Sequence, residues 1–158
     1  MTRRPAHRHP AWFDRPANRL RLIAELQAVG ADVAVIRPGR RRRGGFAVRI
    51  VLTPAGLEPQ RVTIEFGPNT PDTPAIYVPG PGSKHRYDDG SLCIWYPYDP
   101  PERRWTWRDG GAVLAGHICA HLIREAWWRQ TGEWPGEEAP HDPPDPPIAP
   151  RAARRTSP

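Results

Sequence analysis

The sequence predicts one α+β domain: a helix, an antiparallel sheet of about four strands, a long irregular segment and then a second, longer helix. Three observations predict it. Apolar residues recur at helical spacing over residues 16–29 and again over 109–130. Between them, short runs alternate apolar and polar residues, separated by Gly- and Pro-rich connections. Residues 78–108 follow neither period. At 158 residues the chain has length for one ordinary core and not for two.

In the first helix Leu22, Ile23, Leu26 and Val29 form the apolar stripe, with Asp14 as the expected cap, Pro16 in the first turn and Gly30 as the stop. Trp12 and Phe13 are placed to pack back on that turn. Strands are expected over 32–37, with Val33 and Val35 on one face, and over 46–53, with Phe46, Val48, Ile50 and Leu52 aligned. A third covers 61–66, with Val62, Ile64 and Phe66 inward, and a short fourth covers 75–78. Such a meander keeps one face on a core, which the first helix can cover. The second helix starts at Asp109 as cap and runs to about Gln130, with Val113, Leu114, Ile118, Leu122, Ile123 and Ala126 apolar. Residues 1–13 read as an N-terminal arm, 14–138 as the domain, and 139–158 as a disordered tail rich in Pro and Arg.

The net charge of +6 is carried largely on Arg3 and Arg4, on the turn Arg40, Arg41, Arg42, Arg43, and on Arg151, Arg154 and Arg155. Arms, turns and tails of this kind serve solubility or an acidic partner as readily as a nucleic acid. No groove-reading motif is present, so nucleic acid is not the expected partner. No run approaches the roughly 18 apolar residues of a membrane span, and the basic N-terminus lacks an apolar h-region after it. With two cysteines and no other sign of an oxidising compartment, the expectation is a reduced cytoplasmic protein away from membranes.

The chemistry concentrates in His85-Arg86-Tyr87-Asp88-Asp89-Gly90-Ser91-Leu92-Cys93-Ile94-Trp95. A thiol in an irregular, Gly-containing loop can be presented at a surface, and its thiolate is a nucleophile. His85 can donate a hydrogen bond to an oxyanion or take a proton from an amine. On composition alone, a semi-buried Cys93 and a surface His85 fit equally well. Cys119, beside Ile118 and Leu122, reads as a core residue. His117 and His121 are four apart but lack the metalloprotease glutamate, so a packing or hydrated pair is preferred over zinc. Trp105 and Trp107 are expected to pin the loop to the core, and Trp127 and Trp128 to complete the second helix's packing.

Taken in order, these segments resemble the ubiquitin-conjugating (UBC) fold over roughly residues 15–130. Thr70-Pro71-Asp72-Thr73-Pro74-Ala75-Ile76-Tyr77-Val78 is similar to the family's proline-rich lead into its fourth strand. Gly90-Ser91-Leu92-Cys93-Ile94 is similar to the Gly-x-Ile/Leu-Cys-Leu around the catalytic cysteine, and Trp107-Arg108-Asp109 to the Trp-Ser-Pro that opens the next helix. Where eukaryotic members carry His-Pro-Asn, this chain has Ser83-Lys84-His85, which puts His85 at the position of the oxyanion-stabilising Asn. In this it resembles a bacterial branch with a His-x-Tyr-x-Asp-Gly-x-Leu-Cys pattern. The stretch between Cys93 and Trp107 is longer than in typical members, and the family's C-terminal helices are replaced by Trp134-Pro135-Gly136 and the tail.

The resemblance implies an acyl carrier. Cys93 would accept a protein's C-terminal carboxyl as a thioester and pass it to an amine. His85 would stabilise the oxyanion, Asp88 and Asp89 would position or deprotonate the incoming lysine, and Tyr87 would support the loop or line the channel. No metal or organic cofactor is implied. The implied partners are a separate activating (adenylating) enzyme, a target lysine or other amine, and a cargo. Bacterial relatives occur in antiphage conjugation operons, including CBASS, where the cargo is a ubiquitin-like protein or the partner is the C-terminus of a cGAS-like nucleotidyltransferase. The competing expectations are a non-catalytic UBC-like binding module, a basic nucleic-acid-binding protein, and a cysteine hydrolase, for which only His85 is a candidate base.

Overall fold

Helix α1 spans Pro16–Gln27 and is followed by strands β1 (Ala31–Ile36), β2 (Phe46–Leu52), β3 (Gln60–Phe66) and β4 (Ala75–Tyr77), and by helix α2 (Gly110–Thr131). These come from a computed structural model in which residues 9–96 and 99–137 are described. The expected disordered tail (139–158) and most of the N-terminal arm therefore lie outside the described residues. The strands form one antiparallel sheet in the order β1-β2-β3-β4. The α+β class, the four-stranded meander and the long second helix are as the sequence predicts.

The core is the surface that period-two alternation defines. Phe46, Val48, Ile50 and Leu52 of β2 and Val62, Ile64 and Phe66 of β3 are fully or almost fully buried. They join Leu22 and Leu26 of α1 and Leu114, Ile118 and Leu122 of α2 in one cluster. Strand β1 is an edge with a bulge. Ala31 pairs with Val51 and Ala34 with Arg49, so two residues oppose one, and Asp32 sits there at φ +53°. Val33 is half-buried while Val35 is exposed, so the two valines do not contribute equally to the expected face.

Several local expectations change. Asp14 does not cap α1; its carboxylate accepts from Ala11 N at 2.7 Å, closing a short 3-10 turn, Trp12–Asp14. Trp12 packs edge-on with Phe46 and Phe66, Phe13 lies tilted against Phe46, and Asn18 Nδ2 of α1's first turn donates to Trp12 O at 2.8 Å, so this turn joins the core to α1. Gly30 keeps an ordinary φ and is needed for close approach: a Cβ there would lie 2.5 Å from the Ile50 side chain. Asp109 likewise serves a 3-10 turn, accepting from Thr106 N at 2.7 Å. The first turn of α2 is satisfied instead by Glu25 of α1, whose carboxylate accepts from Gly111 N at 2.7 Å.

The buried face of α2 is also rotated from the one expected. Leu114, Ala115, Ile118, His121, Leu122 and Glu125 point inward, whereas Val113, Ile123 and, at 53% exposure, Trp127 face outward. Val29 of the α1 stripe is exposed as well. Trp105 and Trp107 do pin the irregular segment. The Trp105 indole donates to Gly110 O at 2.9 Å, and Trp107 N donates to the Asp72 carboxylate at 3.0 Å. The proline-rich segment before β4 is held from its other side by the Trp12 indole, which donates to Pro71 O at 2.8 Å.

Candidate active site

The segment between β4 and α2 contains a tight hairpin. Tyr87 N donates to Ser91 O and Gly90 N to Tyr87 O, both at 2.8 Å, closing a three-residue loop of Asp88, Asp89 and Gly90. Gly90 has φ +83°, the left-handed residue that such a loop requires. The ladder continues with a bridge between Arg86 and Leu92 and with Cys93 N donating to His85 O at 2.8 Å. Leu92 N also donates to Ile76 O at 2.8 Å, which hangs the returning strand on β4. The hairpin register thus turns eight residues of separation into direct opposition of His85 and Cys93.

Cys93 is a free, half-buried thiol. Tyr87, two residues along the hairpin on the same side, lies close enough to Cys93 to interact with it electrostatically, and its hydroxyl donates to Trp95 O at 3.4 Å. Burial, then the contact with Cys93 and the nearby Asp89 charge, push the Tyr87 phenol up, so it stays a donor through the neutral range. His85 is only 6% exposed; its ring lies 3.8 Å from that of Trp134 and 6.4 Å from that of His121. It is a packed imidazole, not the surface one that composition equally allowed.

The two acids separate. Asp88 is exposed at the hairpin tip. Asp89 folds back into the turn: Ser91 Oγ donates to its Oδ1 at 2.6 Å and Ser91 N at 3.0 Å, and Tyr77 OH donates to Oδ2 at 3.3 Å. Burial opposes its charge, but these bonds and the Arg41 guanidinium outweigh it and hold the carboxyl below its ordinary range. Asp89 is therefore an engaged anion that shapes the loop, and a weak base.

Sequence reasoning missed the anchor beneath the hairpin. Arg86 Nε and Nη2 donate to the two oxygens of Glu125 at 2.8 and 3.0 Å, and Arg86 Nη1 donates to Val78 O at 2.6 Å. The Arg86 and Glu125 side chains are 8% and 1% exposed, and Arg129 approaches the same carboxylate at 3.2 Å. The signal was present in α2: continuing the spacing of Leu114, Ile118 and Leu122 by one turn reaches Glu125. Trp134 was missed too, because it meets His85 only after α2 has crossed the core.

His117 is exposed and packs against Trp95, while His121 is buried against Trp134, so the i, i+4 spacing does not bring them to one environment. Burial, reinforced by the charges of Arg86 and Arg124, pushes the His121 imidazole down to about 4 despite nearby Glu125. Among the described residues no cluster of His, Cys, Asp or Glu could hold a metal ion, and no helix is long and apolar enough to cross a membrane. Cys119 packs against the core, and burial pushes its thiol up. Compared with protein-family profiles, curated proteins and solved structures, the chain matches none.

Proposed function

We propose that this chain is a ubiquitin-conjugating-type acyl carrier with Cys93 as its nucleophile. The observation that carries the proposal is the hairpin, which sets a free, half-buried Cys93 opposite His85 and brings Tyr87 to the same side. The order of elements supports the same reading, since a helix and a four-stranded meander precede the cysteine segment and a long helix follows it. The Cys93 thiolate attacks the activated C-terminal carbonyl of a protein; the C–S bond forms and the activating group leaves. An amine then attacks that carbonyl, the C–N bond forms, the C–S bond breaks, and the surplus amine proton passes to solvent or a base. The energy arrives in the activated carboxyl, so a separate adenylating enzyme supplies the donor and the step uses no cofactor.

Tyr87 carries its hydroxyl on the Cys93 side of the hairpin, and we assign it the oxyanion contact ahead of His85, whose ring packs against Trp134. Asp88 is left as the free carboxylate for an incoming amine. The cytoplasmic, antiphage setting, with a ubiquitin-like protein or a cGAS-like nucleotidyltransferase C-terminus as cargo, belongs to the same proposal. The covered His85 ring favours one competing reading, a UBC-like binding module in which His85 is purely structural.

Intact mass of wild type and Cys93→Ser, co-expressed with candidate activating enzymes, separates the two. A partner-sized adduct on wild type that hydroxylamine removes, with a stable oxyester on the serine variant, is expected. Conjugation that persists in Cys93→Ala sinks the acyl-carrier reading.

A further inference from the structure

The connection between β1 and β2 carries five arginines in seven residues, Arg37, Arg40, Arg41, Arg42 and Arg43, with no lysine among them. It is a built turn rather than a loose loop. Arg40–Arg42 forms a 3-10 turn, and Gly39 N donates to Glu65 Oε1 at 3.1 Å. Gly45 packs so closely on the end of β3 that a Cβ there would lie 1.9 Å from Phe66 O. Arg42 folds inward: its Nη1 donates to Thr70 Oγ1 at 3.2 Å, and with Arg104 it lines a cleft of about 450 Å³ against the Cys93 hairpin. Arg37, Arg40, Arg41 and Arg43 are exposed, Arg41 at 81%. Two carboxylates stand at the turn. Glu65 is engaged by Gly39 N, and Asp89, 3.8 Å from Arg41, is engaged by Ser91 and Tyr77. Among the described residues no carboxylate comes within 4.0 Å of the guanidiniums of Arg37, Arg40 or Arg43. Five guanidiniums thus face two carboxylates on one fixed turn.

We infer that this turn is a second functional surface, which holds the phosphate backbone of a nucleic acid without reading its sequence. Residues 37–45 are all Arg, Pro or Gly, so the turn has no aromatic ring on which to stack a base. Nor does it offer the apolar and aromatic anchors from which a protein partner draws most of its affinity. It offers guanidinium forks, which match phosphate oxygens in pairs, and backbone binding runs on charge alone. The missing groove-reading motif excludes recognition of a particular sequence and leaves contacts to phosphate untouched. Asp89 repels a phosphate on the hairpin side, so the contacts fall to Arg37, Arg40 and Arg43, with Arg41 at their edge. This surface goes beyond the acyl-carrier reading and does not rest on it.

The test is fluorescence anisotropy of the full chain with a labelled DNA duplex of scrambled sequence, titrated from about 50 to about 200 mM salt. Three to four phosphate contacts predict a slope of log affinity against log salt of roughly −3 to −4, so binding should weaken about a hundredfold over that range. Changing Arg37, Arg40 and Arg43 together to Ser should cost at least roughly tenfold at the lower salt and flatten the slope by about 2–3. These side chains are exposed and Arg42 keeps its bond to Thr70, so an unchanged urea midpoint is expected alongside. Changing Arg151, Arg154 and Arg155 of the tail to Ser should cost less than the turn variant. Wild type that does not bind at the lower salt, or a turn variant within about threefold of wild type there, overturns the assignment. So does a tail variant that loses more than the turn variant. A glutamate homopolymer of equal charge that displaces the duplex at equal or lower concentration also overturns it, and would make the turn a site for an acidic protein.

Discussion

Replacing Glu125 with Ala tests how the hairpin is fixed to the rest of the domain. The Arg86 guanidinium, 8% exposed, would keep its bond to Val78 O and lose both bonds to a carboxylate, leaving a buried cation without its counter-ion. Breaking a buried pair from one side costs about 3–5 kcal/mol, a large part of the roughly 5–15 kcal/mol that holds a domain together. With a urea slope of about 1–3 kcal/mol/M, the unfolding midpoint should fall by roughly 2 M. Removing both charges, as Arg86→Met with Glu125→Leu, should restore most of the loss, because well-packed apolar pairs are often as stable as the ion pair. Burial opposes the Glu125 charge, but the Arg86 and Ser83 hydrogen bonds and the Arg86 and Arg129 charges outweigh it, so its folded pKa lies below the usual 4.5. Its contribution is thus fully present above about 4.5 and is lost as pH falls through the lower folded value. A Glu125→Ala midpoint within about 0.5 M of wild type at pH 7 would refute the anchor.

Two other perturbations follow from the same region. Gly90→Ala meets no atom within 4 Å, so its cost is the backbone alone, about 1–2 kcal/mol at φ +83°; thermal unfolding should show it, with Gly90→Asn closer to wild type. His121 is buried with an imidazole pushed down to about 4, so the unfolded chain binds its proton first as pH falls. Stability should therefore drop between about pH 6.5 and 4, and urea midpoints of His121→Gln should be flatter over that window than those of wild type.

How much of this was legible follows from which interactions are local. The strands of the sheet centre were, because Phe46 to Leu52 and Val62 to Phe66 alternate against a single core. The His85 to Cys93 juxtaposition was half legible: Asp88-Asp89-Gly90 is a hairpin loop by composition, and its register alone sets which residues oppose. The helix caps were not, because Asp14 and Asp109 each close a 3-10 turn one element early and α2 takes its cap from Glu25, 86 residues away. The covering of His85 by Trp134 and the convergence of Arg42 and Arg104 on one cleft depend on elements meeting across the fold, which no local period encodes.

That division bears on which side chain would stabilise the oxyanion in the proposed acyl transfer. Spacing alone selects His85, since it fixes position along the hairpin and says nothing of what later packs on the ring. In the folded site Tyr87 lies on the Cys93 side of the hairpin with its phenol pushed up, while His85 packs against Trp134. If Tyr87 is the donor, Tyr87→Phe keeps the ring and removes only the O–H, so the fold and the thiol stay in place. Loss of one oxyanion donor typically slows turnover by about 10²–10³. Single-turnover discharge of the Cys93 thioester to a free amine should therefore slow by roughly a hundredfold in Tyr87→Phe. His85→Asn, which keeps an N–H at that position, should change discharge by less than tenfold while lowering the urea midpoint, because it removes a ring packed on Trp134. The opposite ranking, with His85→Asn the slower enzyme at unchanged stability, would return the role to His85 and require Trp134 to move away from it during turnover.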